Sequence, residues 1–397
     1  MAKRGDIMYE RRLVMVPGPI NFDPRVLREL AVEGLDHTSA EFVSSFAETL
    51  SMLRKVVHVG GEYQPVVIAG SGTLAMEASV TNFLERGGRA LIVSNGYFGD
   101  RFAELLSNYD VHMDLLRPDK IGSQVNASKV VEAASKGNYD LITLTHVDTS
   151  TGVLQSIREI GKELMNEETI IVVDGVCSVG GEEIKMAEDG IDVLFTGSQK
   201  ALGVPPGLAL IWLSPKALQK LRSIKRSISP YYMNLSRWIS IMRSYEEKKP
   251  TYFGTPAVNL VVALRKSLEL ILEEGMEKRY LRHKVLSEAF RNGMKALNLQ
   301  LLADESSAAH TITAVKLPDA ISSSSLVDLV RSMGVLIAKG LIKDINYFRV
   351  GHMGTVNAND IVATVAAIER ALTKLGYKMR FGDGVAGAQE ILHRYGL

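Results

Sequence analysis

The chain has 397 residues, of which 46% are hydrophobic and 23% charged, and its 46 basic and 45 acidic side chains give a formal charge of +1. This composition is typical of folded globular proteins and excludes a disordered chain. The single cysteine excludes an internal disulfide framework and a cysteine-based zinc site. The near-neutral charge argues against a nucleic-acid partner, the apolar runs are too short to cross a bilayer, and residues 1–12 lack the apolar core of a secretory signal. We therefore expect a cytoplasmic protein without a membrane partner.

Short apolar runs alternate with longer amphipathic segments from about residue 65 to about residue 212. Runs this apolar are typical of strands that are buried on both faces, and their alternation with helices indicates right-handed βαβ units. The pattern predicts strands at residues 65–69, 90–93, 141–145, 170–173, 193–196 and 208–212, and helices at 74–84, 99–106 and 157–166. We expect an α/β fold with a parallel sheet between two layers of helices.

The pattern changes after about residue 257, where two long helical segments, 258–274 and 276–297, follow one another. The rest of the chain predicts strands at 311–315, 335–338 and 347–350 and helices at 326–332 and 357–375, the first of them capped by the serines at 322–325. We assign residues 1–20 to an N-terminal segment, 21–260 to a large domain and 261–397 to a small α+β domain. From about Arg380 onwards, no motif is matched.

The carboxyl ends of the predicted strands carry candidate site residues, because ligands of open α/β sheets bind beyond those ends. The turn Gly70-Ser71-Gly72-Thr73 leads from a strand into a helix, so its backbone and hydroxyls can hold a phosphate. An ordinary capped turn would have the same residues. Asp174 ends a strand, where its carboxylate can bind a metal, orient a base, pair with a cationic ring nitrogen or cap a turn.

Three further candidates complete the set. Lys200 follows a strand and precedes a turn rich in glycine and proline, where a lysine can form a Schiff base, although surface lysines are more common. Phe98 can stack on a flat ligand or pack in the core. Arg349 lies inside an apolar strand, so it needs an anionic partner: a substrate carboxylate or a structural acid. Together the candidates match a phosphate, a flat ring, a ring nitrogen and an aldehyde, which are the groups of pyridoxal phosphate.

The order of motifs along nearly the whole chain resembles the class V aminotransferases of fold type I, specifically the alanine–glyoxylate and serine–pyruvate aminotransferase family. The most specific block is Ser198-Gln-Lys-Ala-Leu202 with the following Pro-Pro-Gly207. The other matching segments are residues 16–19, 37–42, 70–73, 95–99, 145–153, 173–176, 252–256 and 348–351. The resemblance implies a mostly parallel seven-stranded sheet in the large domain and a smaller α+β C-terminal domain.

The resemblance also implies a role for each matching residue. Lys200 is expected to bind the cofactor aldehyde covalently and Asp174 to pair with its ring nitrogen. The other implied contacts are Ser71, Gly72, Thr73 and Gln199 around the phosphate, Phe98 and Val176 on the two ring faces, Thr149 at the ring hydroxyl, Tyr252 and Thr255 at the phosphate of the neighbouring subunit, and Arg349 and Gly18 at the substrate. Phe98 stands where family members often have tryptophan.

These implications predict a homodimer with shared sites that transfers the amino group of serine or alanine to glyoxylate or pyruvate by a ping-pong mechanism. Small neutral donors are preferred because no second cationic residue stands out for a distal carboxylate. A lyase of aldolase or desulfurase type on the same fold is the alternative, although Cys177, three residues after Asp174, is better explained as a small buried residue. A binding protein that has kept the cofactor site is a third interpretation.

Overall fold

The computed structural model describes residues 12–165 and 167–397. Most of the predicted segment 1–20, and the last residue of the predicted helix 157–166, lie outside these ranges. The strands are β1 (Leu13–Val14), β2 (Gln64–Ala69), β3 (Arg89–Val93), β4 (His112–Leu116), β5 (Leu141–Thr145), β6 (Val147–Asp148), β7 (Val153–Leu154), β8 (Ile170–Asp174), β9 (Val193–Gly197), β10 (Leu208–Leu213), β11 (Ile312–Lys316), β12 (Val335–Leu336), β13 (Ala338–Lys339) and β14 (Tyr347–Gly351). The helices are α1 (Pro24–Leu30), α2 (Ala40–Val56), α3 (Gly72–Thr81), α4 (Tyr97–Leu106), α5 (Ala127–Gly137), α6 (Ile157–Leu164), α7 (Pro215–Ser223), α8 (Leu235–Glu246), α9 (Val258–Glu274), α10 (Met276–Ala296), α11 (Ser323–Ser332), α12 (Ala358–Lys374) and α13 (Asp383–Arg394).

Seven strands form the central sheet in the order β2-β10-β9-β8-β5-β3-β4. β10 is antiparallel to both of its neighbours, and the other neighbouring pairs are parallel. The predicted mostly parallel α/β sheet is therefore confirmed. Every residue of β5, β8, β9 and β10 is buried, which explains their continuous apolar sequences. Because β2, β9 and β8 run in one direction, the residues that follow Ala69, Gly197 and Asp174 meet at one edge of the sheet.

Two large apolar cores, accompanied by two small clusters, are separate in the described residues. The larger surrounds the central sheet and extends along the chain from Val26 to Met276. The smaller packs the second half of α10, α11, α12 and α13 against the sheet β11-β14-β13, and it includes Met15. Two cores agree with a large and a small unit, while the boundaries at residues 20 and 260 stay predictions. The segment without a matched motif contributes α13, whose Ala388 lies in the smaller core.

The N-terminal strand β1 belongs with the small unit, because Leu13 and Val14 pair in parallel with Val335 and Leu336 of β12. The chain then continues to Gly18, at the edge of the central sheet where β8 and β9 end. Among the helices that the structure describes, none has the length and apolarity needed to cross a membrane.

Candidate active site

A cavity of about 180 Å³ lies at the carboxyl ends of β2, β8 and β9. All predicted site residues except Arg349, Tyr252 and Thr255 line it. The complete lining is Gly18, Ser71, Gly72, Thr73, Met76, Phe98, Arg101, Val147, Thr149, Asp174, Val176, Cys177, Gln199 and Lys200. Since these residues come from turns far apart in sequence, the topology of the sheet is what brings them together.

Lys200 follows β9, and its side chain is buried, with 9% exposed. The Lys200 Nζ donates a hydrogen bond to the carbonyl oxygen of Pro17. Gly18 packs directly on the lysine: its φ is +127°, and an added Cβ would lie 2.8 Å from Nζ, so only glycine is suited here. Burial, and secondly the charge of Arg349, lower the pKa of Lys200. A lowered pKa favours the neutral amine, which is the form that acts as a nucleophile or base.

Asp174 is the last residue of β8, and its carboxylate is buried. Within the described ranges, the backbone N–H of Val176, at 2.8 Å, is its only hydrogen-bond donor. Burial, and to a lesser extent the charge of Asp148, raise the pKa of Asp174 to about 7, against the lowering effect of the Val176 N–H. A buried carboxylate with one donor lacks a cationic partner. The protonated ring nitrogen of pyridoxal phosphate is such a partner, so this residue fits the cofactor.

The turn between β2 and α3 offers an anion site. Ser71 is the N-cap of α3, yet its side chain makes no cap hydrogen bond in the described chain, so the hydroxyl is available to a ligand. Gly72 begins the helix so close to Val176 that an added Cβ would lie 3.3 Å from the valine Cγ2. The free N–H groups of a helix N-terminus favour an anion. With Thr73 and Gln199 on the same wall, the turn fits the cofactor phosphate.

Phe98 lies in the first turn of α4, and two residues that the sequence analysis did not identify hold this region. The Arg101 guanidinium carbon lies 4.9 Å from the centroid of the Phe98 ring. Asp148 accepts hydrogen bonds from the backbone N–H groups of Phe98 and Gly99. The three-residue spacing of Phe98 and Arg101, at the start of the predicted helix 99–106, was a signal for the first contact. Asp148 is fifty residues away from Phe98 in sequence.

Arg349 lies in β14 and is buried beside the cavity without lining it. Its Nη1 donates to the carbonyl oxygen of Thr149 at 2.9 Å and its Nε to that of Lys339 at 2.8 Å. No acidic side chain of the described residues forms a salt bridge with it, so the structural acid considered above is not found there. Burial lowers the pKa of Arg349. A buried guanidinium with only carbonyl partners is suited to an incoming carboxylate.

Two predicted cofactor residues lie away from the cavity. Tyr252 is 69% exposed, and its hydroxyl oxygen is 3.4 Å from Thr255 Oγ1. Their action on a neighbouring subunit stays a prediction. Cys177 does line the cavity, but it is buried with its Sγ 3.6 Å from Thr311 Oγ1. Burial raises the pKa of Cys177 to about 11, which argues against the mobile, reactive cysteine that a desulfurase requires.

Comparisons with known proteins agree on one family. The family model described as aminotransferase class V matches residues 27–364. Alanine–glyoxylate aminotransferase 1 of Saccharomyces cerevisiae is 38% identical over 361 residues, which cover 87% of this chain and 93% of the yeast protein. Serine–glyoxylate aminotransferase of Arabidopsis thaliana is 31% identical, with 98% of each chain covered. The crystal structure of ureidoglycine–glyoxylate aminotransferase from Bacillus subtilis superimposes with a TM-score of 0.90 at 27% identity, covering 98% of this chain and 100% of that one.

Proposed function

The chain belongs to the aminotransferase class-V family, and on that basis we propose that it transfers the amino group of alanine or serine to glyoxylate or pyruvate by a ping-pong mechanism. The observation that carries the proposal is that Lys200 and Asp174 line one cavity and that Arg349 is buried beside it, hydrogen-bonded to the cavity residue Thr149. The relatives from yeast and Arabidopsis, named for alanine and serine as donors to glyoxylate, support the choice of substrates. The single cysteine is consistent with a cytoplasmic location.

Pyridoxal phosphate is the cofactor that we propose for this cavity. Ser71, Gly72, Thr73 and Gln199 would hold its phosphate, Phe98 and Val176 its ring faces, and Thr149 its ring hydroxyl. When bound, the cofactor supplies an electron sink for the bond that is broken at the α-carbon of the amino acid. The Asp174 carboxylate would hold a proton on the ring nitrogen, because the buried anion is stabilised by a cation.

The protein side chains would then act on the amino acid itself. Lys200 would bind the cofactor at rest and, once displaced, take the proton from the substrate α-carbon with its neutral Nζ. Arg349 would bind the substrate α-carboxylate, and Gly18 would form the wall that keeps water from the lysine. Arg101 also lines the cavity, but its guanidinium is stacked on the rings of Tyr97 and Phe98 and so is not directed at a substrate carboxylate. A donor with a second carboxylate is therefore less favoured than a small neutral one.

A panel of amino donors tests this function. Purified enzyme is loaded with pyridoxal phosphate and offered alanine, serine, glycine, aspartate or cysteine together with glyoxylate or pyruvate, without the identity pairs alanine–pyruvate and glycine–glyoxylate. The new keto acid and the new amino acid are both quantified. We expect alanine or serine to give the highest kcat/KM and both products to form in equal amounts. Release of sulfide, ammonia or an aldehyde without the new amino acid would show a lyase instead.

Arg349→Lys should weaken the binding of the amino acid. An ammonium cannot form the two parallel hydrogen bonds that a guanidinium makes with a carboxylate. Loss of one such charged bond predicts a KM about 10- to 100-fold higher. The absorbance spectrum of the bound cofactor should not change, and the melting temperature controls for the lost bonds to the carbonyls of Thr149 and Lys339. An unchanged KM in a folded variant would leave Arg349 a structural role only.

We further propose that two copies form a dimer in which each chain completes the site of the other. Three tyrosines, Tyr231, Tyr232 and Tyr252, are exposed, and the rings of Tyr231 and Phe253 lie 5.4 Å apart. Exposed aromatic side chains in one cluster are typical of an interaction surface. Tyr232 also donates to the carbonyl oxygen of Ala69, directly before the phosphate turn. The cluster is thus next to the cofactor cavity, which supports a partner reaching that phosphate.

Mixing two defective enzymes should restore activity if the sites are shared. Lys200→Ala is combined with the double variant Tyr252→Phe, Thr255→Ala under conditions that allow subunits to exchange. Each hybrid dimer would have one site with both defects and one intact site, so the activity should rise to about half that of wild-type dimers for every hybrid formed. Native mass spectrometry counts the hybrids. If hybrids form and activity does not rise, Tyr252 and Thr255 do not act across the interface.

A further inference from the structure

The carboxylate of Asp148 is buried at the N-terminus of α4, and the residue is 0% exposed. Its Oδ2 accepts from the backbone N–H groups of Phe98 at 2.9 Å and of Gly99 at 3.1 Å. Its Oδ1 accepts from the N–H of Ser150 at 2.9 Å and from the Ser150 hydroxyl at 2.6 Å. No basic side chain of the described residues forms a salt bridge with Asp148. Burying an anion without a cationic partner costs free energy, which the four hydrogen bonds to this carboxylate offset.

The Asp148 carboxylate caps the N-terminus of α4. The N-cap residue Gly96 has no side chain to accept from the first free N–H groups of the helix. Asp148 accepts from two of these groups, and the Ser150 hydroxyl oxygen accepts from a third, Tyr97 N–H, at 2.9 Å. A Cβ on residue 96 would lie 2.6 Å from Asp148 Cγ. The glycine is therefore what leaves room for a cap from another part of the chain.

The same three residues, 148–150, also contact the rest of the site. Thr149 lines the cavity, and its carbonyl oxygen accepts from Arg349. The Ser150 carbonyl oxygen accepts from the Tyr347 hydroxyl at 2.7 Å. The segment thus connects the helix that carries Phe98 with the strand that carries Arg349. A shift of Asp148 would move the aromatic ring relative to the other cofactor contacts.

We propose that Asp148 is a positioning residue, which caps α4 with its carboxylate and thereby holds the Phe98 ring against the cofactor. The proposal rests on the proposed pyridoxal phosphate site. It requires that Asp148 influence the cofactor through Phe98 and not only through the stability of the fold. The charge of Asp148 also helps to raise the pKa of Asp174, so its removal should make the Asp174 anion easier to form. Comparison in the Phe98→Ala background separates this charge effect from the positioning of the ring.

The test is a double-mutant cycle on cofactor release. Asp148→Asn, Phe98→Ala and the double variant are prepared as holoenzymes, and the release of pyridoxal phosphate is followed by absorbance after dilution into a trap. The asparagine side chain has an NH₂ group, a donor, in place of one carboxylate oxygen, so it can no longer accept every hydrogen bond that Asp148 accepts. We expect Asp148→Asn to release the cofactor about 10- to 100-fold faster, with a weaker circular dichroism band of the bound cofactor. In the Phe98→Ala background, the same change should alter release by less than about twofold.

A matched control is Asp100→Asn in the first turn of the same helix. Asp100 accepts from the Ser94 hydroxyl and from Arg117 and not from the helix N–H groups, so its loss should leave cofactor release unchanged. If Asp148→Asn does not fold, Ser150→Ala keeps the carboxylate and removes only part of the cap, and we expect a smaller acceleration that again disappears without Phe98.

Equal acceleration in both backgrounds, or no acceleration at all, would overturn the positioning role. A wild-type chain that binds no pyridoxal phosphate would overturn the proposed function and this role with it. Unchanged cofactor release in a loaded Asp148→Asn enzyme would overturn this role alone. The two failures are therefore distinguished by the wild-type measurement.

Discussion

Lys200→Ala should lower kcat by at least about 10²–10⁴-fold, because that is the usual contribution of a positioned general acid or base alone. The variant should still bind pyridoxal phosphate, since the phosphate turn and Asp174 do not depend on the lysine. Single-turnover measurements with alanine would give the rate of the remaining reaction. Borohydride reduction of the wild-type holoenzyme, followed by peptide mapping, should find the pyridoxyl group on Lys200.

The matched control for this prediction is Lys136→Ala. Lys136 is a surface residue whose Nζ pairs with Glu132 in α5, so its loss should change neither turnover nor labelling. Labelling of any lysine other than Lys200, or a Lys200→Ala enzyme that keeps more than a few per cent of wild-type kcat, would contradict the assignment.

Asp174→Asn should lower kcat/KM by about 200- to 5,000-fold, which corresponds to the 3–5 kcal/mol lost when one partner of a buried ion pair is removed. It should also change how the stability of the cofactor-free protein depends on pH. Since burial raises the pKa of Asp174 from 3.8 to about 7, the folded protein keeps a proton that the unfolded chain loses. The contribution of Asp174 to stability should therefore fall as the pH rises from 4 to 7, by up to about 4 kcal/mol.

Urea denaturation of the cofactor-free proteins at several pH values between 4 and 8 measures this contribution, as the difference in stability between the wild type and Asp174→Asn. Asp174→Asn should lack it, whereas the control Asp189→Asn should keep it, because Asp189 is a buried carboxylate that already pairs with Arg158. Identical pH profiles of the wild type and Asp174→Asn would mean that Asp174 is ionised in the folded protein throughout this range.

Prediction from the sequence was most accurate for the elements that are buried along their whole length, because burial makes their sequences continuously apolar. The six predicted strands of the central sheet are all present, and α9 has the predicted bounds, 258–274. The seventh strand, β4, was not predicted because it lies at the sheet edge with mostly exposed residues, so it lacks a buried apolar run. The direction of β10 could not be predicted either, because both of its faces are buried whichever way it runs.

The site was predictable to the extent that its residues follow strand ends. Asp174, Lys200 and the turn at residues 70–73 were found by that criterion, and the structure puts them around one cavity. Asp148 was not found, because its hydrogen bonds join segments fifty residues apart. The resemblance suggested Gly18, but its close packing on the lysine is visible only in three dimensions. The roles of Tyr252 and Thr255 depend on a second chain and stay predictions.

The pairing of β1 with β12 affects the order in which the nascent enzyme becomes complete. Leu13 and Val14 are translated long before Val335 and Leu336, with which they pair, and Met15 packs in a core made mostly of residues after 285. The whole central sheet can thus leave the ribosome while these apolar residues still lack their partners. Chaperones protect exposed apolar segments of this kind during synthesis. The contacts of Leu13, Val14 and Met15 thus form only after the small unit has been synthesised.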